Sequence, residues 1–142
     1  MIIVDAGFFY ALADAGDAWH QRATRAMQTQ GVGWITTWPV LTEATHLLTR
    51  WIDTSAAQAL MLDVAAGSIT VWQWAEPQTE RMTHLMTRYA SLPMDLADAS
   101  LVLLAEHLGH GRILTTDERE FGAYRFKSRE PFTNLLADME HD

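Results

Sequence analysis

Acidic side chains near predicted strand ends and helix starts are the residues of this sequence best suited to chemistry. Five of them are candidates for one site, namely Asp5, Glu43, Asp95, Asp98 and Asp117. Carboxylates that crowd together repel one another, and either protons or a bound cation must offset that repulsion. Hard oxygen ligands without Cys or His partners favour Mg²⁺ or Mn²⁺ over Zn²⁺. Such an ion activates a bound water and stabilises charge on a phosphoryl oxygen, so the pattern predicts phosphodiester hydrolysis.

The elements that must position these residues alternate along the whole chain. Short apolar runs predict strands over Ile2–Val4, Trp34–Thr37, Ile69–Trp72 and Arg112–Thr116. Amphipathic or strongly apolar segments predict helices over 17–30, 37–48, 54–67, 76–89 and 94–108, with a break over 31–33. The tail from Phe121 adds a short edge strand and a final turn over 133–139. This alternation predicts one domain over 1–142, an α/β/α sandwich around a mainly parallel sheet of four or five strands.

The predicted sheet explains why the acidic residues would converge. Functional groups gather beyond the carboxyl ends of parallel strands, and Asp5 and Asp117 each follow such an end. Asp95 and Asp98 lie three residues apart after Pro93, so one face of a helix start carries both. Taken singly, each acid also suits a plain turn or helix cap. Their shared place at one sheet edge favours a site.

Composition excludes several classes of function. The 142 residues include 18 acidic and 10 basic side chains, and the net charge of −8 argues against a protein that grips nucleic acid by overall positive charge. The absence of Cys excludes disulfides, thiolate metal sites and a Cys nucleophile. The N-terminus lacks a signal-peptide pattern, and no apolar run approaches the ~18 residues of a membrane span. We therefore expect a cytoplasmic protein with no membrane partner.

Two further groups of residues suggest contacts with partners. Basic residues cluster in the segment 119–129, where the aromatic side chains Phe121, Tyr124 and Phe126 are interleaved with them. This segment predicts an RNA backbone contact through Arg119 and Arg125, with an aromatic ring available for base stacking, and its alternative is an ordinary solvated edge strand. Of the six Trp, we expect Trp34 and Trp72 in the core and Trp19, Trp38 and Trp51 at an interface.

Four motifs occur in a fixed order over nearly the whole chain. They are IIVDAG at 2–7, TEA at 42–44, PMDLADASLV at 93–102, and ILTTD at 113–117 followed by Phe121 and Tyr124-Arg125. In order and spacing they resemble a PIN domain, and they are most similar to the VapC-type toxins of prokaryotic toxin–antitoxin pairs. The expected fold is then a PIN-like α/β/α sandwich.

This resemblance implies an Mg²⁺- or Mn²⁺-dependent endoribonuclease that is the toxin of a VapBC-type pair. The family's acidic quartet falls on Asp5, Glu43, Asp98 and Asp117, with Asp5 and Asp98 as principal metal ligands, and Asp95 matches an acid found in a subset of members. Thr115 or Thr116 would hydrogen-bond a carboxylate, a bound water or the substrate. The implied partners are RNA, a cognate antitoxin and a second copy in a homodimer. Ala6-Gly7 departs from the Thr-Ser of many members, which removes a hydroxyl from the site.

Two other functions remain open at this level. A catalytically idle binding module on the same fold is one, and the intact quartet argues against it. An Asp-based phosphatase with Asp5 as nucleophile is the other, but such enzymes commonly carry a second Asp two residues later, where this chain has Gly7. The sequence does not specify which RNA would be cut.

Overall fold

The computed structural model describes residues 1–30, 33–137 and 139, and these ranges contain seven strands. The strands are β1 (Ile2–Val4), β2 (Trp34–Thr37), β3 (Ile69–Trp72), β4 (Arg112–Leu114), β5 (Arg125–Phe126), β6 (Glu130–Pro131) and β7 (Thr133–Asn134). Five of them form one parallel sheet in the order β3-β2-β1-β4-β7. The other two, β5 and β6, pair as a separate antiparallel ladder. The centre of the sheet is therefore β1, with β2 and β4 on either side.

Seven α-helices lie within the same described ranges. They are α1 (Ala6–Ala13), α2 (His20–Gln30), α3 (Trp38–Trp51), α4 (Thr54–Ala65), α5 (Thr79–Arg88), α6 (Leu96–Leu108) and α7 (Glu118–Ala123). Every residue of β1 and β2 is buried, and side chains alternate between the two faces of a strand, so both faces of the sheet are covered. The predicted α/β/α sandwich is confirmed. None of the described helices is long and apolar enough to cross a membrane.

The elements that differ from the sequence prediction have identifiable causes. Helix α1 was not predicted, because its eight residues are apolar almost throughout and give no amphipathic stripe. The tail begins with α7 and the β5–β6 ladder, and the strand at the edge of the sheet is β7, which pairs with β4 and lies where the final turn was predicted. The predicted break over 31–33 lies partly outside the described residues, as does residue 138 of the predicted final turn.

Buried hydroxyl groups link two strands of the sheet and join the sheet to the helix that carries Asp98. The Thr36 hydroxyl donates to the carbonyl oxygen of Val4 at 2.7 Å and joins β2 to β1. The hydroxyl oxygens of Thr37 and Ser100 share a hydrogen bond of 2.6 Å between the end of β2 and α6. Because Ser100 follows Asp98 by two residues, this bond holds the first turn of α6 at the carboxyl edge of the sheet.

Candidate active site

The five predicted acidic residues converge at the carboxyl edge of the sheet. A cavity of about 260 Å³ opens there, which we call the acidic groove, and its acidic lining residues are Asp5, Glu43, Asp95, Asp98, Asp117 and Glu120. Glu120 was not predicted to take part, because α7 was not predicted. Its position three residues after Asp117, and so on the same helix face, is the signal that could have identified it.

Asp5 is the most deeply buried of these carboxylates, with 7% of its surface exposed. Its Oδ1 accepts a hydrogen bond of 2.7 Å from the Ala6 N–H and so caps α1. Its Oδ2 accepts a hydrogen bond of 2.8 Å from the Thr115 hydroxyl. Burial raises the pKa of Asp5 to about 6, against the effect of these two hydrogen bonds, and Asp117 and Asp95 raise it further. One residue therefore acts both as a helix cap and as a wall of the groove.

Asp98 lies in the first turn of α6 and is held from two sides. The hydroxyl of Tyr124 donates to its Oδ2 at 3.0 Å. Asp95 caps α6 by accepting a hydrogen bond of 2.9 Å from the Asp98 N–H, and the Asp95 N–H points back at the Asp98 carboxylate at 3.4 Å. Burial, followed by repulsion from Asp95 and Asp5, raises the pKa of Asp98 to about 7. The Tyr124 ring is fully buried, so it gives Asp98 a rigid support that the sequence did not reveal.

Glu43 and Asp117 complete the groove from α3 and from the start of α7. Glu43 is exposed by surface area, yet its carboxylate lies among other acids in the groove. Desolvation, followed by repulsion from these neighbours, raises its pKa to about 7. Asp117 caps α7 by accepting from the Glu120 N–H at 3.2 Å, and burial and Asp95 raise its pKa while Arg119 lowers it. The groove therefore holds more negative charge than its own protein groups offset.

Thr115 connects two of the acidic residues through its buried hydroxyl. That hydroxyl donates to Asp5 and accepts a hydrogen bond of 3.0 Å from the Asp117 N–H. Asn134, on the edge strand β7, holds the backbone of Thr115 through two hydrogen bonds. The Asn134 Nδ2 donates to the Thr115 carbonyl oxygen at 3.0 Å, and the Asn134 Oδ1 accepts from the Thr115 N–H at 3.3 Å. Asn134 is thus a second supporting residue that the sequence analysis missed.

The glycine at position 7 leaves room for a hydroxyl from another element. A Cβ built on Gly7 would overlap the Oγ1 of Thr116, and both residues line the acidic groove. The Thr116 hydroxyl therefore occupies the space that a side chain at position 7 would need.

We expect Gly7→Ala to lower the free energy of unfolding by about 1–2 kcal/mol, because the new methyl group displaces the Thr116 hydroxyl. Urea unfolding measures the change. In a helix, Gly→Ala otherwise stabilises by up to about 1 kcal/mol. The double variant Gly7→Ala/Thr116→Ala is therefore expected to be more stable than Thr116→Ala alone. A double variant that loses as much stability as the sum of both single changes would contradict the steric account.

The aromatic side chains in segment 119–129 are not available for base stacking, and that expectation is wrong. All three are buried, namely Phe121, Tyr124 and Phe126. The rings of Phe121 and Phe126 both stand edge-on to Phe132, at centroid distances of 5.3 Å and 5.5 Å. These ring contacts hold the β5–β6 ladder against the core, because burying large aromatic rings stabilises the folded state.

The two predicted cationic contacts have different surroundings. Arg125 is half-buried, and its Nη1 donates to the carbonyl oxygens of Gly122 and Tyr124 at 3.0 Å and 2.9 Å. Its guanidinium therefore satisfies the last carbonyls of α7. Arg119 is exposed, and its charge lowers the pKa of Asp117. Arg119 is thus the better placed of the two to meet an anionic substrate.

The tryptophans divide between the core and the surface. Trp34 is buried, as predicted, and Trp72 is half-buried against the core. Trp19, an expected interface residue, is also packed against the core. Trp38 and Trp51 are 43% and 63% exposed, so both are accessible to a partner, and their role at an interface stays a prediction.

The donor set of the acidic groove fits a hard divalent cation, because it consists of carboxylates and hydroxyls. Among residues 1–30, 33–137 and 139, however, no group of three or more Asp, Glu or His side chains is arranged so that it could hold a metal ion as it stands. The capping hydrogen bonds give a physical reason. Asp5, Asp95 and Asp117 each direct one oxygen at a helix N-terminus, so an ion would have to draw these side chains inward.

A parallel sheet between helical layers, with an acidic groove at its carboxyl edge, is the arrangement expected of a PIN-like α/β/α fold. No protein-family model matches the chain. The chain is 24% identical to ribonuclease VapC26 of Mycobacterium tuberculosis over 124 residues. This alignment covers 87% of this chain and 92% of VapC26. The crystal structure of VapC20 from the same organism, a Sarcin-Ricin loop cleaving toxin, matches with a TM-score of 0.76 and 24% identity, over 84% of this chain and 92% of that one. These two matches confirm the resemblance to VapC-type PIN domains.

Proposed function

We propose that this protein is a ribonuclease of the VapC toxin type, which hydrolyses RNA phosphodiester bonds in the acidic groove. The observation that supports this most strongly is the convergence of the predicted quartet, Asp5, Glu43, Asp98 and Asp117, on one cavity of a PIN-type fold. Burial, followed by repulsion from neighbouring carboxylates of the groove, raises their pKa values. Such a site favours binding of a cation, because positive charge would offset the repulsion among the carboxylates.

The proposal includes Mg²⁺ or Mn²⁺ as the source of that charge. Asp5 and Asp98 would be the principal ligands, and Glu43 and Asp117 would complete the set. A bound ion of this kind lowers the pKa of water and stabilises charge on a phosphoryl oxygen.

The chain's own residues would fix the ligands and the substrate. Thr115 orients Asp5 by donating to its Oδ2, and Tyr124 orients Asp98 in the same way. Their hydrogen bonds also stabilise the ionised form of each carboxylate, which is the form that binds a cation. The Thr116 hydroxyl faces the groove and would contact the substrate or its water, and Arg119 would meet a phosphate beside the site.

The test of this proposal is cleavage of an unpaired RNA by the purified chain. We expect cleavage with Mg²⁺ or Mn²⁺, none with excess EDTA, and recovery when excess Mn²⁺ is added back. Equal cleavage in EDTA would contradict the metal dependence. A folded chain that cleaves no RNA with either metal would favour the idle binding module.

A cognate antitoxin is the protein partner that we propose. A mainly apolar groove of about 390 Å³ runs between α3 and α4 and supplies a surface for it, with Leu41, Ala57 and Met61 among its lining residues. A small DNA-binding protein encoded beside this chain is the candidate to test. It is expected to co-purify with the chain and to block RNA cleavage.

A further inference from the structure

Two further cavities open from opposite parts of the acidic groove. One has a volume of about 840 Å³ and shares Glu43 and Asp95 with the groove. The other has a volume of about 240 Å³ and shares Gly7, Leu47 and Thr116 with it. The two cavities share no residue with each other, and each shares lining residues with the acidic groove, so the groove connects them. The three together form one path across the carboxyl edge of the sheet.

Both outer cavities are lined by tryptophan. The larger one contains Trp38, which is 43% exposed, and Trp74, whose Nε1 donates to the Thr79 hydroxyl at 3.2 Å and so fixes the indole. The smaller one contains Trp51, which is 63% exposed. The guanidinium of Arg50 lies 5.1 Å from the centroid of the Trp51 ring. Flat aromatic surfaces therefore stand on either side of the carboxylates.

We propose that this path binds an unpaired RNA strand, with one base stacked on Trp74, the scissile phosphate at the carboxylates, and a base beyond it stacked on Trp51. This inference rests on the proposed function and specifies how its substrate is held. A protein with a net charge of −8 attracts phosphates poorly. Stacking of bases on aromatic rings supplies affinity without cationic contacts, at about 1–3 kcal/mol for each base.

The shape of the path favours RNA over a protein segment as its occupant. An amphipathic helix needs a continuous apolar groove for anchors one turn apart. Here the two aromatic surfaces are separated by the carboxylates of the acidic groove. A nucleic acid strand matches that alternation, because its phosphates and bases alternate along the chain.

The experiment measures binding of a short, unpaired, fluorescein-labelled RNA by fluorescence anisotropy in EDTA, where no cleavage is expected. We expect Trp51→Ala and Trp74→Ala each to weaken binding by about 5- to 100-fold. Trp51→Phe and Trp74→Phe retain an aromatic face and are expected to stay within about threefold of the wild type. The matched control is Leu62→Ala, since Leu62 is a 69% exposed apolar residue outside all three cavities; it is expected to bind as the wild type does.

The salt dependence provides a second readout. Loss of a stacked base removes no phosphate contact, so both alanine variants are expected to keep the slope of binding against salt concentration. Thermal unfolding shows whether each variant folds. If Trp74→Ala does not fold, the exposed Trp51 still decides the matter.

Binding of both alanine variants within about twofold of the wild type would overturn the inference. Normal RNA binding by these variants together with loss of a bound antitoxin would also overturn it and would assign the surface to the protein partner. Cleavage assays with Mg²⁺ on the same samples separate the two proposals. Cleavage that does not depend on the tryptophans refutes the RNA path alone, whereas tryptophan-dependent binding without any cleavage refutes the proposed function and leaves the path standing.

Discussion

Asp98→Asn is expected to lower the rate of RNA hydrolysis by at least about 10²-fold, because it removes one of the charges that the reaction needs at the centre of the groove. The side chain keeps its shape, and its oxygen can still accept the hydrogen bond from Tyr124. The fold should therefore survive the change. Single-turnover cleavage of a labelled RNA with Mn²⁺ measures the effect.

The matched control for this substitution is Glu118→Gln. Glu118 follows Asp117 directly in the sequence but is exposed and does not line the groove. We expect the Glu118→Gln variant to cleave at the wild-type rate. A loss of cleavage confined to Asp98→Asn would then reflect the site and not the total charge of the protein. Wild-type cleavage by Asp98→Asn would show that Asp98 is not part of the catalytic machinery.

The metal-free protein is expected to become less stable as the pH rises from about 4 to about 8. The pKa values are raised to about 6 for Asp5 and about 7 for Glu43 and Asp98. A carboxyl whose pKa is raised by folding binds its proton more tightly in the folded state. Its contribution to stability is therefore complete below its unfolded pKa near 4 and is lost as the pH rises through the folded pKa.

The size of this loss of stability is set mainly by Asp5, the most deeply buried of the three carboxyl groups. The pKa of Asp5 moves from 3.8 to about 6, and one pKa unit corresponds to about 1.4 kcal/mol, so Asp5 alone destabilises the ionised protein by up to about 3 kcal/mol. Solvent screens the partly exposed Glu43 and Asp98, which add less. A total loss of about 2–4 kcal/mol between pH 4 and pH 8 is the expected result.

Thermal unfolding in EDTA at about pH 5 and about pH 8 tests this expectation. Mn²⁺ should raise the unfolding temperature at the higher pH, because the proposed metal site exists only in the folded protein. Asp98→Asn should be more stable than the wild type there and should gain less from Mn²⁺. A metal-free protein that is most stable near pH 8 would contradict the sign of these pKa shifts.

The acidic residues show how a capping role and a site role can coexist. Each of Asp5, Asp95 and Asp117 starts a helix by accepting a backbone N–H with one oxygen. The helices after β1 and β4 start at the carboxyl edge of the sheet, and α6, which leads into β4, starts there too, so capping residues gather at the place where a site forms. The two interpretations of these residues were therefore never exclusive, and the sequence could not separate them.

The sequence by itself determined the alternation of strands and helices, and with it the parallel sheet and the edge at which Asp5, Glu43, Asp98 and Asp117 lie. These features depend on local hydrophobic patterns and on motif order, both of which are visible in the sequence. Helix α1 was not predicted, because its eight residues are apolar almost throughout and show no amphipathic period. The net charge of −8 was also fixed by sequence, as was the absence of thiol chemistry.

Only the tertiary structure decided which distant side chains support the site. Tyr124 meets Asp98 across 26 residues, and Thr115 meets Asp5 across 110. The close approach of the Thr116 hydroxyl to Gly7 and the position of Trp51 beyond the groove likewise arise only when separate elements pack together. Such contacts depend on the relative placement of helices and strands, which side-chain packing sets in three dimensions and no local pattern in the chain records.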